Sequence, residues 1–443
     1  MHNPNTPIVR SICAVDLAED TLERILMGIP EDTAVCFLDL VDMQSRKPTF
    51  SIVGLDRCSR QATPTAFRDL AAQKTTTSAA SAILNDLPFS GGAVGFLPYQ
   101  GAANPVAGLF LTTERLIVRD HLNDRGWMIA YGSQEGPPSE AALRREFQQL
   151  KSAWTGEAMP SDHAIRMGSE WRQSLDEQGY IEAVQRAKRM IQDGHISQVI
   201  VSLQMMRNYD GPTFPLYRSL RSINTAAQNF YLRFPSVTLL GTPPSAYLTI
   251  ADGKATMEVG AGTRPVTSDA GLDDRVAAEL VADPKERHEH RLLVDEAVAT
   301  LGRIALKGSV EIPVSMQVRR FSHVMHLFTV LNAALDESRS PAEALAAVLP
   351  PAPVVGVPTM TAAEAIAKLE PGARGPYGGV YFMAGFGGNL SSAIIERSMW
   401  IADSQVVLSV GAGITADSVP EAEYAECLRK AAALMSAVER VES

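Results

Sequence analysis

The stretch QVVLSVGAGITADSVPEAEYAECLRK, residues 405–430, decides how the rest of the chain is read. Residues 405–410 are mostly apolar and predict a short strand. Gly411-Ala412-Gly413 then predicts a turn with no Cβ at two positions, where backbone N–H groups can approach a bound anion closely. Pro420 can open a helix, and Glu421 in its first turn suits the positive end of the dipole. On that helix Glu423 and Glu426 share a face, with Lys430 one turn beyond on the same side. An anion cradle, two carboxylates and an ammonium in one strand–turn–helix suggest an acidic ligand held with a metal ion. Gly411-x-Gly413-x-x-Ala416 also fits a loose dinucleotide fingerprint. That reading fails because only one helix follows, with no strand to carry the acidic partner.

Taken alone, Glu423, Glu426 and Lys430 would be a solvated helix face. A second pair upstream changes the balance. Residues 285–305 predict a long helix, and Glu286 and Glu289 sit three apart in its first turn. Two such pairs are what a hard divalent cation uses, and Mg²⁺ is commonly completed by water and an anionic substrate. His288 and His290 are two apart, point to different sides, make poor zinc partners and are expected on the surface.

The 443 residues suffice for one large domain or two, and 46% hydrophobic content describes an ordinary globular chain. A net charge of −10 with no basic run argues against nucleic acid as the main partner. Cys13, Cys36, Cys58 and Cys427 form no C-x-x-C pair, which predicts reduced, mostly buried thiols in a cytoplasmic protein. The first twenty residues lack the apolar core of a signal peptide, and no run of about eighteen apolar residues suggests a membrane span.

Residues 1–155 read as an N-terminal subdomain of short strands and a few helices, with no catalytic group. Segments 34–40 and 49–53 predict paired strands, 91–96 a glycine-rich strand or bulge, and 109–118 and 127–131 further strands. Residues 139–154 predict an amphipathic helix. Residues 156–178 read as a linker, and 179–443 as one intertwined ligand-binding region. Within it, 178–193 predicts a helix, 198–203 a buried strand, and 230–259 a meander of four strands. Residues 322–335, opening SHVMH, predict an apolar helix carrying His323 and His326. Residues 391–401 predict a strand bearing Glu396 and Arg397, whose guanidinium could clamp a carboxylate.

At this point the residues resemble a family, the chorismate-utilising enzymes: anthranilate synthase large subunit, aminodeoxychorismate synthase, isochorismate synthase and salicylate synthase. The matching text is GHISQVIVS at 194–202, GTRP at 262–265, DPKERHEH at 283–290, SHVMH at 322–326, RGPYGG at 374–379 and GAGITADSVPEAEY at 411–424. The likeness covers about residues 180–440 strongly, and the N-terminal part weakly through SGGAVGF at 90–96. It implies an α+β fold of two large, mostly antiparallel sheets packed together with helices outside. It implies Mg²⁺ between Glu286, Glu289, Glu423 and Glu426, and chorismate held by Tyr377, Arg397, Lys430, Thr263 and the amides of Gly411, Ala412 and Gly413. His326 resembles the family histidine beside the enolpyruvyl side of the substrate.

A few positions bear on the reaction. Family members that add water carry a lysine base where this chain has Gln198, and an amide cannot deprotonate water. Glutamine there resembles the members that add ammonia. Ala261 replaces the lysine that aminodeoxychorismate synthases often carry before Gly-Thr. Amination of chorismate at C2 is therefore expected, giving anthranilate or 2-amino-2-deoxyisochorismate, with ammonia from solution or a separate glutamine amidotransferase subunit.

There are departures. The family's Ser-Pro-Glu, whose glutamate protonates the departing C4 hydroxyl, is Pro243-Pro244-Ser245 here. Serine has no proton of suitable pKa to give, and Glu258 is a weak substitute candidate. The Leu-Leu-Glu-Ser element that helps bind feedback tryptophan is absent, Phe37-Leu-Asp-Leu40 standing there, which predicts no tryptophan inhibition and points to specialised metabolism. Two alternatives stay open: isochorismate- or salicylate-type or other chorismate lyase and rearrangement chemistry, and a catalytically impaired paralogue that binds chorismate.

Overall fold

The computed structural model describes the chain apart from residues 1–8, 19, 57–58, 62–85, 100–106, 114, 133–137, 154–164, 169, 225, 268, 321–323 and 443. Residues 156–164 and 169 of the expected linker, and Ser322 and His323, lie among these. The described strands form two large sheets of thirteen and nine strands, with every resolved pairing antiparallel. The larger sheet runs from Val9–Ala14 through Ala34–Asp42, Gln228–Phe234, Val237–Gly241, Ser398–Ala402 and Gln405–Ile414 to Gln198–Asp210. The smaller runs from Glu311–Arg320 through Val324–Ala334, Lys254–Pro265, Leu248–Ala251, Leu390–Ile394 and Val380–Gly385 to Gly92–Leu97 and its neighbours. N-terminal strands thus enter both sheets.

The sheets face each other across a shared apolar core, where Phe230 of the larger stacks on Tyr381 of the smaller with ring centroids 4.4 Å apart. Helices cover the outside. Pro284–Gly302 starts on Pro284, with the Asp283 carboxylate accepting from the Lys285 and Glu286 amides. It buries His290, Leu293, Val294, Ala297 and Leu301, an i, i+3, i+4, i+7 stripe. Pro420–Glu442 is the long C-terminal helix that Pro420 announced.

Four sequence expectations need correction. Residues 322–335 are not a helix: Val324–Ala334 is a strand paired on both sides, with Lys254–Pro265 and Glu311–Arg320. An apolar run buried on both faces has no period that tells strand from helix. Residues 109–118 are two strands, Leu109–Thr112 and Arg115–Asp120, which belong to different sheets. The 230–259 meander likewise splits, its first two strands joining the larger sheet and the last two the smaller. His290 is fully buried, not superficial, because the inward stripe of its helix includes it.

Candidate active site

Gln405–Ile414 is one continuous strand, so the expected turn at Gly411–Gly413 does not form. Its ladder with Gln198–Asp210 runs through Ser202↔Gly411, Val201↔Ala412 and Ile200↔Gly413. Ile200 N donates to Val355 O and Ser202 N to Glu370 Oε1, so both amides point away from this ladder. Gly411 and Gly413 therefore direct their own N–H and C=O groups outward as well. On that side the neighbouring strand, Ser398–Ala402, pairs only as far as Leu408. The amide edge proposed for an anion is thus present, made by an unpaired strand end. A Cβ on Gly411 would come 2.8 Å from the Tyr377 hydroxyl, and one on Gly413 2.9 Å from Gln198 Nε2. Both glycines are needed for that close approach.

Beside this edge lies a cavity of about 530 Å³ between the two sheets. It gathers Ser245, His326, Tyr377, Arg397, Gly411 and Lys430 from the expected set, and also Glu258 and Glu396. Arg397 does not sit in a strand as expected. The Leu390–Ile394 strand ends, Arg397 takes φ 48°, and Ser398 begins a strand of the other sheet. This corner turns the guanidinium into the cavity, and it makes no hydrogen bond or ion pair with any described residue. Tyr377 is buried, and desolvation pushes its phenol far above its ordinary range, so it is a neutral donor. Lys430 Nζ donates to Gly411 O at 2.8 Å and pairs with Glu426 at 2.8 Å.

His326 lies opposite Thr263 in the ladder, with its Nδ1 3.0 Å from Gly262 O. Burial, together with Arg397 and Lys430, lowers its pKa to about 4, against the opposing pull of the Gly262 carbonyl. The ring is therefore neutral at pH 7. In the unfolded chain it would gain a proton near pH 6.5, so the fold is expected to lose stability as pH falls from about 6.5 to about 4, by up to about 3 kcal/mol from this group. Denaturant titrations across that range should show a shallower loss in His326→Gln. Gln198 is buried at the start of its strand, and its Oε1 has no hydrogen-bond partner among the described residues. It does not line the cavity but flanks Gly413. Ala412 is fully buried, so only its flanking glycines offer amides to a ligand.

Glu286, Glu289, Glu423 and Glu426 lie on the two helices as expected, but among the described residues no three acidic, histidine or cysteine side chains converge into a metal-binding group. Glu286 is turned to Arg264 at 2.7 Å, Glu289 to Lys285 at 3.8 Å and Glu426 to Lys430. The helices nonetheless bring the pairs within mutual influence. Burial raises the Glu289 carboxyl, and Glu286 and Glu423 raise it further against the pull of Lys285. Burial also raises Glu423, with Glu426 adding to it against a Ser418 hydrogen bond. Four carboxylates that repel one another are a donor set that suits a hard cation, and the residues fit Mg²⁺ in that sense.

Two residues of the site carry no sequence expectation of a role there. Ser409 lines the cavity with a buried hydroxyl that has no partner among the described residues. The period-2 alternation Ser409-x-Gly411-x-Gly413 was the available signal. Glu396 lines the cavity next to Arg397, a placement set by a corner that no periodicity announces.

Comparison with known proteins agrees with this architecture. The family model for chorismate binding enzymes matches residues 42–436. Anthranilate synthase component 1 of Thermus thermophilus is 36% identical over 369 residues, covering 80% of this chain and 79% of that one. The Streptomyces coelicolor component 1 is 35% identical over 384 residues, covering 80% and 74%. Among solved structures, anthranilate synthase component I from Streptococcus pneumoniae gives a TM-score of 0.71 at 24% identity, covering 97% of this chain and 93% of that one. The menaquinone-specific isochorismate synthase from Escherichia coli gives 0.77 at 20%, covering 98% and 95%, a likeness of fold. The chain belongs to the chorismate binding enzyme family. It is a chorismate-utilising enzyme related to anthranilate synthase component 1. No helix among the described residues is long and apolar enough to cross a membrane.

Proposed function

We propose that the protein aminates chorismate at C2 in a Mg²⁺-dependent reaction, giving 2-amino-2-deoxyisochorismate or, after pyruvate loss, anthranilate. The observation that carries amination is Gln198. A buried amide, its oxygen without a partner among the described residues, occupies the sequence position where family members that add water carry a lysine base. That oxygen can accept a hydrogen bond from ammonia, already a nucleophile, but cannot take a proton from water.

Arg397 and Tyr377 bind one carboxylate of chorismate, the first as a charged fork and the second as a neutral donor. The Gly411 and Gly413 amides and Lys430 receive the other. His326, neutral with Nδ1 against Gly262 O, is available on the enolpyruvyl side to accept a proton if pyruvate departs. Glu286, Glu289, Glu423 and Glu426 would hold Mg²⁺, which supplies positive charge to the ring carboxylate. Arg264, Lys285 and Lys430 now engage three of those glutamates and would release them.

Departure from the family at 37–40 and 243–245 favours specialised metabolism in the cytoplasm over tryptophan supply, and the component 1 relatives favour a separate amidotransferase partner. Residues 1–155 act as a subdomain feeding strands to both sheets, joined through 156–178 to the ligand-binding region. Purified protein with chorismate, Mg²⁺ and ammonium should yield an aminated product by mass spectrometry. It should yield none when ammonium is omitted, and EDTA should abolish turnover. Chorismate consumption without ammonium, giving an isomer of unchanged mass, would overturn amination.

A further inference from the structure

Position 245 lacks the acid that this chemistry requires, and another carboxyl, that of Glu396, lines the same cavity. The loop after Val237–Gly241 runs along residues 392–397. Thr242 N donates to Arg397 O at 3.1 Å, and Tyr247 N to Ser392 O at 2.7 Å. Ser245 lies between these two ties, and Glu396 lies between their partners. Both side chains line the one cavity, with His326, Tyr377 and Arg397.

We propose that Glu396 is the general acid that protonates the departing C4 hydroxyl, in place of the residue lost at 245. This rests on the amination reading above. The ammonia nitrogen forms its bond to C2, the ring double bonds shift, and the C4–O bond breaks with its electron pair on oxygen. The Glu396 carboxyl gives its proton to that oxygen, which leaves as water. The proton shed by the new C2 ammonium returns the carboxylate to its acid form. The balance is chorismate plus ammonia giving 2-amino-2-deoxyisochorismate plus water.

The environment of Glu396 suits an acid. Its carboxyl makes no hydrogen bond or ion pair with a described residue, and the half-buried side chain lines the cavity. Burial raises its pKa, while Arg397 beside it and Lys430 from the C-terminal helix oppose the rise. Tyr377, His326 and Glu258 complete the titratable groups around that cavity. Glu258, the substitute the sequence offered, is engaged elsewhere, its two oxygens accepting from the Arg319 guanidinium at 3.1 and 3.3 Å.

The test compares wild type, E396Q, S245E and the double variant E396Q/S245E in steady state, with equilibrium binding of chorismate. E396Q should lower kcat at least about 100-fold. Its chorismate Kd should stay within about threefold of wild type, because the isosteric amide keeps the cavity's shape. The double variant should regain at least about tenfold over E396Q by restoring an acid. Difference infrared titration should show a protonated-carboxyl band that persists above the ordinary carboxyl range in wild type and is missing from E396Q. The proposal is overturned if E396Q keeps more than about a third of wild-type kcat, if S245E fails to rescue it, or if the band does not depend on Glu396. An inactive wild type beside an active S245E would overturn it too, by showing a chain without an acid. Inactivity of both wild type and S245E would instead reject the amination reading, and this assignment with it.

Discussion

Arg397→Ala should weaken chorismate binding by about 100- to 1,000-fold, roughly 3–4 kcal/mol, while leaving the fold intact. The guanidinium makes no ion pair or hydrogen bond with a described residue, and it faces a cavity shared with Tyr377, Gly411 and Lys430. Its removal therefore strands the substrate carboxylate in a recessed site and breaks no hydrogen bond or ion pair with a described residue. Arg397→Lys should recover part of the loss but not all, because a point charge cannot supply two parallel bonds. The backbone supports the prediction. Arg397 adopts φ 48°, a left-handed conformation that an ordinary residue takes at a cost, held by Thr242 N donating to its carbonyl. Isothermal titration with chorismate, beside denaturant unfolding of both proteins, checks it. Unaltered affinity in a folded variant would remove Arg397 from the site.

Arg374→Ala should cost about 3–5 kcal/mol of stability, the largest expected effect on folding. Arg374 and Glu370 form a buried pair, 1% and 5% exposed, 2.6 Å apart. Arg374 also donates to Val354 O at 2.6 Å and Ile200 O at 2.7 Å, and Glu370 Oε1 accepts from Ser202 N at 2.8 Å. The pair thus occupies the backbone groups of the very residues, Ile200 and Ser202, that stand opposite Gly413 and Gly411. Deleting the arginine leaves a carboxylate buried without its counter-charge, and frees two carbonyls. It also removes the cation held 5.7 Å from the Tyr377 ring centroid, so activity should fall beyond what the unfolded fraction explains. Denaturant midpoints of Arg374→Ala, Glu370→Gln and the double variant provide the measurement. The double loss should be well below the sum, since neither charge is then stranded.

How much of this was legible differs by residue. Pro420 and the helix after it, the strand at 198–203, the helix at 178–193 and the pairing of 34–40 with 49–53 were all readable, because caps, apolar runs and turn residues are local signals. The strand Val324–Ala334 was not, since a segment buried on both faces hides its period. Nor was the true state of Gly411–Gly413. Two glycines read as a turn, and only the neighbouring ladder shows that they continue a strand past Tyr377. Glu396 was visible as a residue but not as part of a site, because its position comes from a strand crossing between sheets.

The order of residues alone settled which chemical groups the protein possesses: carboxylate pairs one helical turn apart, an amide at 198, a serine at 245 and an arginine at 397. It also settled the family, since motifs are strings. Folding alone decided which of those groups share a cavity. Spacing within a helix or strand fixes neighbours over a few residues, whereas Ser245, His326, Glu396 and Gly411 meet only because two sheets close on each other through pairings of distant strands. That closure depends on the burial of both apolar faces at once, a property of the whole chain and not of any stretch of it.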